Sequence, residues 1–306
     1  MKTLNLKDFE AAFGEILSAN IENKISNYSF EYEEFSSDDL DELMILIVST
    51  LLDSGIVKSG EHRISDWENG WNENLQIFSK DQSNISNIIP KYFNKYGAVR
   101  FNGRLIKPLS EKFEYQSLGI ILDWLFEKYI QNTEALYEFG CGPGYNLLRA
   151  REANQHANLW GLDWAKSSQE IIKKIKSSGI DSKIYGHNFD YFNPDYEFNL
   201  QENSTVLTVA SLEQVGDRWN HFVDYLIEKK PKLCIHVEPI AELLDSNKFL
   251  DYLSIQYFKK RNYLDGFLDG LKQLESKGIL TIHDTKRTNV GSLFIEGYSV
   301  VVWSPN

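Results

Sequence analysis

Three glycines at alternate positions, Gly140, Gly142 and Gly144, follow an acidic residue, Glu138, in the run Leu136-Tyr137-Glu138-Phe139-Gly140-Cys141-Gly142-Pro143-Gly144-Tyr145. Glycine lets the backbone turn tightly with no Cβ between it and a ligand, and a helix that starts at such a turn aims its free N–H groups at whatever lies there. About twenty residues further on, Trp160-Gly161-Leu162-Asp163-Trp164 ends a second apolar run with a carboxylate, which can accept hydrogen bonds from both hydroxyls of a ribose. The two features together describe a site for a nucleotide-type cofactor. The dinucleotide fingerprint G-x-G-x-x-G would need a third glycine at position 145, where this chain has Tyr145, so NAD is the weaker of the candidates.

An acid at the strand end ahead of G-x-G-x-G resembles the first motif of the class I S-adenosylmethionine (SAM) dependent methyltransferases, and the resemblance spans about residues 133 to 303. It implies an α/β fold with a doubly wound, mostly parallel seven-stranded sheet whose last strand is antiparallel. It implies SAM as cofactor, bound by Glu138, Gly140, Gly142, Gly144, Asp163 and Trp164. In Tyr185-Gly186-His187-Asn188-Phe189-Asp190, after the third strand, it implies Asn188 or Asp190 as the polar contact of the adenine and Phe189 as the side chain under the ring. After the fourth strand, Ser211-Leu212-Glu213-Gln214 resembles the small, apolar and paired polar residues of small-molecule members, with Ser211 and Leu212 against the cofactor. The Asp or Asn, Pro-Pro, aromatic signature of enzymes that methylate DNA amino groups is absent.

Methyl transfer requires the protein to align donor and acceptor, and a hydroxyl acceptor must also lose a proton. Glu213 at a strand end is one candidate base. His236 and Glu238, two apart on the next strand, point the same way and could form a base with its orienting carboxylate; a packed core histidine is the plainer reading. For the acceptor, residues 91 to 107 hold five basic side chains and no acid, and their alternation suggests a hairpin presenting Arg100, Arg104 and Lys107 to an anionic group. Arg261 and Tyr263, expected at the start of a helix, form a second cluster of this kind, and Tyr115 could close over the cofactor. The expected function is methylation of a small polar, hydroxyl-bearing and anionic acceptor such as a sugar or nucleotide sugar. N-methylation of a small amine is the alternative, and NAD-dependent modification of a nucleotide sugar or SAM binding without catalysis would be readings from other classes.

Elements must hold these residues in place. From about 133 the pattern alternates strand and helix, with strands at 158 to 162, 182 to 185, 204 to 210 and 233 to 237, a helix near 263 to 277, and a closing antiparallel pair at 279 to 283 and 292 to 303. Residues 1 to 130 read as a helical N-terminal extension acting as a substrate lid, and 131 to 306 as the cofactor-binding core. Trp67 and Trp71, four apart, share a helical face there. Of the 306 residues 42% are hydrophobic and 25% charged, as in ordinary globular proteins. The net charge of −12 opposes binding to a nucleic-acid backbone. No run is apolar enough for a membrane span and the N-terminus lacks the apolar block of a signal peptide, so a cytoplasmic protein is expected, with a homodimer left open. The only cysteines, Cys141 and Cys234, have no ligand-spaced histidines, so no metal is expected.

Overall fold

The computed structural model describes residues 1–306. The chain opens with β1 (Lys2–Thr3), α1 (Leu6–Phe13), α2 (Ala19–Asn27), β2 (Glu31–Glu33), α3 (Ser37–Leu52) and α4 (Ile64–Lys80). Local chemistry starts the helices. Ser36 Oγ accepts from the Asp39 N–H at 3.1 Å while the Asp39 carboxylate accepts from the Ser36 N–H, a reciprocal cap that satisfies two orphan donors. The expected hairpin forms as β3 (Val99–Phe101) and β4 (Arg104–Pro108), turned by Asn102 and Gly103, both at positive φ. The helix α5 (Phe113–Tyr129) follows.

Then come β5 (Ala135–Phe139), α6 (Tyr145–Ala153), β6 (Asn158–Asp163), α7 (Lys166–Ser177), β7 (Ile184–Asn188), β8 (Ser204–Val209), α8 (Asn220–Lys229) and β9 (Leu233–Glu238). The chain closes with α9 (Phe249–Arg261), α10 (Phe267–Ser276), β10 (Leu280–Lys286), β11 (Val290–Ser292) and β12 (Ser299–Pro305). Seven strands form one sheet in the order β10-β12-β9-β8-β5-β6-β7. Every strand runs parallel except β12, which is antiparallel to both β9 and β10. All residues of β5 and β8 are buried, as a sheet covered on both faces requires. A second sheet, β1-β2-β4-β3-β11, lies in the other half of the molecule.

The doubly wound sheet with one reversed strand is the fold expected from the sequence. Three details differ. The N-terminal region is not purely helical, because β1 to β4 recruit β11 from the far end of the chain, and one core cluster of 41 residues runs from Leu4 to Val302. Packing therefore does not divide the molecule near residue 130. The third parallel strand lies later than its apolar residues suggested, so that Asn188 pairs with Asp163 inside the sheet. The helix α9 was not expected: it spreads its apolar residues around its circumference, leaving no single stripe in the sequence, and it places Arg261 at a helix end rather than a start.

Candidate active site

In an open parallel sheet ligands bind at the carboxyl ends of the strands, where the winding reverses. Here that point lies between β5 and β8, and a cavity of ≈ 490 Å³ opens above it. Its floor is the turn after β5. Gly140 and Gly142 both have positive φ, +66° and +51°. A Cβ on Gly140 would lie 2.4 Å from the Ser211 Cβ, and one on Gly142 would lie 2.8 Å from the Trp71 indole, so neither position has room for a side chain. The turn, the loop after β8 and the α4 tryptophan thus meet at van der Waals distance around the cavity.

Two carboxyls flank this turn. Glu138 is 1% exposed; Asn146 Nδ2 donates to its Oε1 at 2.7 Å, and its Oε2 is buried with no partner. Burial, with the Asp163 carboxylate adding repulsion, pushes the Glu138 carboxyl up to about 8. Asp163 accepts from the Gly142 N–H at 2.9 Å through Oδ2 and from the Ala165 N–H at 2.8 Å through Oδ1. One lone pair on each oxygen stays free for a ligand hydroxyl. Burial raises Asp163 to about 6, against the lowering effect of these two N–H groups. Trp164 and Phe189 line the cavity next to it. From the other side α4 supplies Trp67 and Trp71, stacked with ring centroids 5.6 Å apart.

The loop after β8 forms the opposite wall. Ala210 takes a positive φ of 45°, unusual for a residue with a Cβ, and Ser211, Glu213, Gln214 and Val215 line the cavity. Glu238 at the end of β9 holds this loop from beneath. Its carboxylate accepts from the N–H groups of Ser211 at 3.1 Å, Leu212 at 3.0 Å and Glu213 at 3.3 Å. Gln214 Nε2 donates to Glu213 Oε1 at 3.0 Å, and Gln214 Oε1 is buried without a partner. Burial and then the nearby Glu238 push Glu213 up to about 8.

The structure brings Glu138, Gly140, Gly142, Asp163, Trp164, Phe189, Ser211, Glu213, Tyr115, Arg261 and Tyr263 to this one cavity. The remaining residues singled out in the sequence do other things. His236 is fully buried between its neighbours: Trp303 Nε1 donates to its Nε2 at 2.9 Å, and its Nδ1 lies 2.9 Å from Thr208 Oγ1. The indole can only donate, so the imidazole proton sits on Nδ1 and both nitrogens are occupied. Burial lowers this histidine to about 3, and it is a packed core residue rather than a base. Glu238 does not reach the cavity and does not orient His236. Gly144 lets α6 pack on Ile172, and Leu212 is core. Asn188 Nδ2 donates to the Trp164 carbonyl at 2.9 Å, and Asp190 caps the turn at Phe192 N, so neither faces the cavity.

Arg100 is also corrected. Its guanidinium gives hydrogen bonds to the carbonyls of Leu250, Leu293 and Phe294 and to Ser254 Oγ, using its whole donor set to tie β3 to α9 and the 292–294 segment. Arg104 is exposed beside Glu34 at 3.8 Å, and Lys107 on the same strand is also exposed. A hairpin alternation in the sequence cannot say which face meets the cavity. Glu114 and the tyrosines at 92, 257 and 298 line the cavity without having been foreseen as a group. An acid between Phe113 and the apolar run from Leu118 was the one available signal, since a buried carboxyl in an apolar stretch needs a reason.

No family model matches the sequence, and no curated protein does. The chain is similar in fold to solved methyltransferases at low identity. Magnesium protoporphyrin IX methyltransferase from Synechocystis PCC 6803, with SAH bound, is 12% identical with a TM-score of 0.47, covering 64% of this chain and 87% of its own. A geranyl diphosphate methyltransferase in complex with GPP and sinefungin is 13% identical with a TM-score of 0.47 over 80% of this chain and 98% of its own. The methyltransferase domain of bacterial-CtHen1-CN is 17% identical with a TM-score of 0.44, covering 62% and 98%. No helix is long and apolar enough to cross a membrane.

Proposed function

We propose that the chain is a SAM-dependent methyltransferase acting on a small polar acceptor enclosed in the cavity above β5 and β8. One observation carries this reading: the G-x-G-x-G turn, Asp163 and the unpartnered Glu138 Oε2 converge on a single cavity at the winding reversal. The donor set fits the cofactor part by part. The Asp163 oxygens suit a ribose diol, Glu138 Oε2 suits the α-ammonium of the methionine end, and Trp164 and Phe189 offer aromatic faces to an adenine. The sheet also supports SAM over NAD. The dinucleotide-binding fold continues its strand order 3-2-1-4-5 with a parallel sixth strand, whereas here the antiparallel β12 occupies that place.

Held by Glu138, the 140–142 turn and Asp163, SAM would supply an activated methyl group on a sulfonium sulfur to an acceptor lone pair. The chain's own part is to seat both molecules, exclude water and take up a proton. The N-terminal region closes the site, because Trp67, Trp71, the 90–98 segment, Glu114 and Tyr115 form the cavity's outer wall. Of the basic residues expected to meet an anionic acceptor, only Arg261 is there. Calorimetry with S-adenosylhomocysteine (SAH) and with NAD tests the reading. Binding of SAH is expected, and Gly142→Ala, which puts a Cβ 2.8 Å from the Trp71 ring, should abolish it. Heat from NAD and none from SAH would overturn the proposal.

A further inference from the structure

The acceptor half of the cavity can be read from charge and from unused hydrogen-bonding atoms. Four carboxyl side chains line the cavity, Glu114, Glu138, Asp163 and Glu213, none of them more than 7% exposed and none in an ion pair. Against them stand Arg63, Lys95, Arg149 and Arg261. Arg149 is committed to Asp123, its Nε donating at 2.9 Å, and Arg63 to Asp66, also at 2.9 Å. Only Lys95 and Arg261 remain, and each lies against a tyrosine ring, 5.4 Å from the centroid of Tyr96 or Tyr263. Taken alone, four buried carboxyls are a cost of folding that an apolar ligand would leave in place and an anion would raise.

The wall next to Glu213 holds one free charged donor, the unpartnered Arg261 Nε, beside several open acceptors. Gln214, 7% exposed, lines the cavity with an unpartnered Oε1 while its amide N–H is used by Glu213. Glu114, 5% exposed, is held through Oε2 by the Asn94 N–H at 2.6 Å. Glu213, Glu114, Tyr92 and Tyr298 all line this one cavity. Tyr92, which lines the cavity, is 50% exposed. The open acceptors, Gln214 Oε1 and the Glu114 and Glu213 carboxyls, outnumber that donor, so they suit a guest bringing N–H donors and positive charge, which also meets aromatic faces that favour a cation.

Resting on the methyltransferase reading above, we propose that the methyl acceptor is a small amine taken up as its ammonium ion between Glu213, Gln214, Glu114 and the rings of Tyr92 and Tyr298, and that Glu213 accepts the proton the nitrogen must lose. The step balances. One ammonium N–H bond breaks, its electron pair stays on nitrogen as the lone pair that attacks, and the proton forms an O–H bond on the Glu213 carboxylate. Gln214 Oε1 accepts a second N–H and fixes the direction of the lone pair. An uncharged hydroxyl would use one of these acceptors and leave the carboxyls unrelieved, and a carboxylate or phosphate would face all four of them.

The test uses the full chain saturated with SAH and three probes on one skeleton: phenethylamine, 2-phenylethanol and phenylacetate. Calorimetry and thermal shift are expected to show phenethylamine binding at least about tenfold more tightly than the other two, the scale of a charge-assisted contact. Glu213→Gln and Glu114→Gln should each weaken phenethylamine by about tenfold, with SAH affinity held within about threefold as expected for a separate part of the cavity. Binding of 2-phenylethanol or phenylacetate as tight as that of the amine overturns the proposal, and so does binding of none of the three to the SAH complex. Absence of SAH binding to the unaltered chain is a different result, because it removes the methyltransferase reading itself.

Discussion

Glu238 should be the most consequential residue that never touches the cavity. Its carboxylate accepts three backbone N–H groups of the loop carrying Ser211, Leu212 and Glu213, at 3.0 to 3.3 Å, and is itself fully buried. Glu238→Ala strands three donors. A buried donor left without a partner costs about 1–3 kcal/mol, and because this loop borders a cavity that admits water the lower figure applies, roughly 3 kcal/mol in all. At about 2 °C per kcal/mol for a chain of this size, Tm should fall by about 6 °C. Glu238→Gln keeps one accepting oxygen but turns an N–H₂ toward the same donors, so about half that loss is expected. Thermal unfolding gives the first number. The second readout is the pKa of Glu213 followed by the pH dependence of ligand affinity: Glu238 repels the Glu213 carboxylate, so Glu238→Gln should lower the Glu213 midpoint from about 8. A Glu238→Ala protein within about 0.5 kcal/mol of the parent, with SAH affinity unchanged, would refute the anchoring role, since surface-like substitutions fall in that range.

Two other outcomes follow from the same groups. His236→Ala removes a ring held by Trp303 and Thr208 and should cost about 2–4 kcal/mol of stability while the folded fraction keeps its turnover; lost turnover with stability intact would restore His236 as a base. The cavity carboxyls set a pH dependence. Glu114, Glu138, Asp163 and Glu213 have folded values raised to between about 6 and 8, with burial the largest cause for each. Between pH 5 and 8 these groups in the folded chain therefore hold protons that the unfolded chain has released, and their contribution to stability falls as pH rises through that window. Glu238, raised by burial to about 7, adds to this trend, while His236, lowered by burial to about 3, acts against it below about pH 6.5, so the fall is clearest between pH 6.5 and 8. Melting of the ligand-free chain across this range checks the slope, and a Tm that rises with pH would contradict the raised values.

The glycine-turn end of the cavity was legible in the sequence because its determinants are local. Glu138, Gly140, Gly142 and Tyr145 lie within one strand-turn-helix unit, where spacing along the chain fixes spacing in space, and Asp163 ends the neighbouring parallel strand, which follows the turn by a nearly constant length. The alternation of strands and helices after residue 133 likewise determined a doubly wound sheet, since only a right-handed crossover with helices on both faces buries such strands. Residues outside these units were misplaced for one shared reason. Arg100, Arg104 and His236 each sit on a strand as expected, but which face of that strand looks into the cavity depends on what packs there, and Asn188, expected in a loop, lies within β7. Arg100 was claimed by carbonyls of Leu250, Leu293 and Phe294, some 150 to 194 residues away in sequence, and His236 by Trp303. The acceptor wall is likewise assembled from Tyr92, Glu114, Glu213, Arg261 and Tyr298, brought together because β11 joins the N-terminal sheet and Glu238 pins the loop after β8. The sequence by itself determined a glycine turn and strand-end carboxyls on an α/β sheet; the tertiary structure alone decided that the other half of the cavity is acidic and aromatic, because contacts of such long separation leave no periodic trace in the chain.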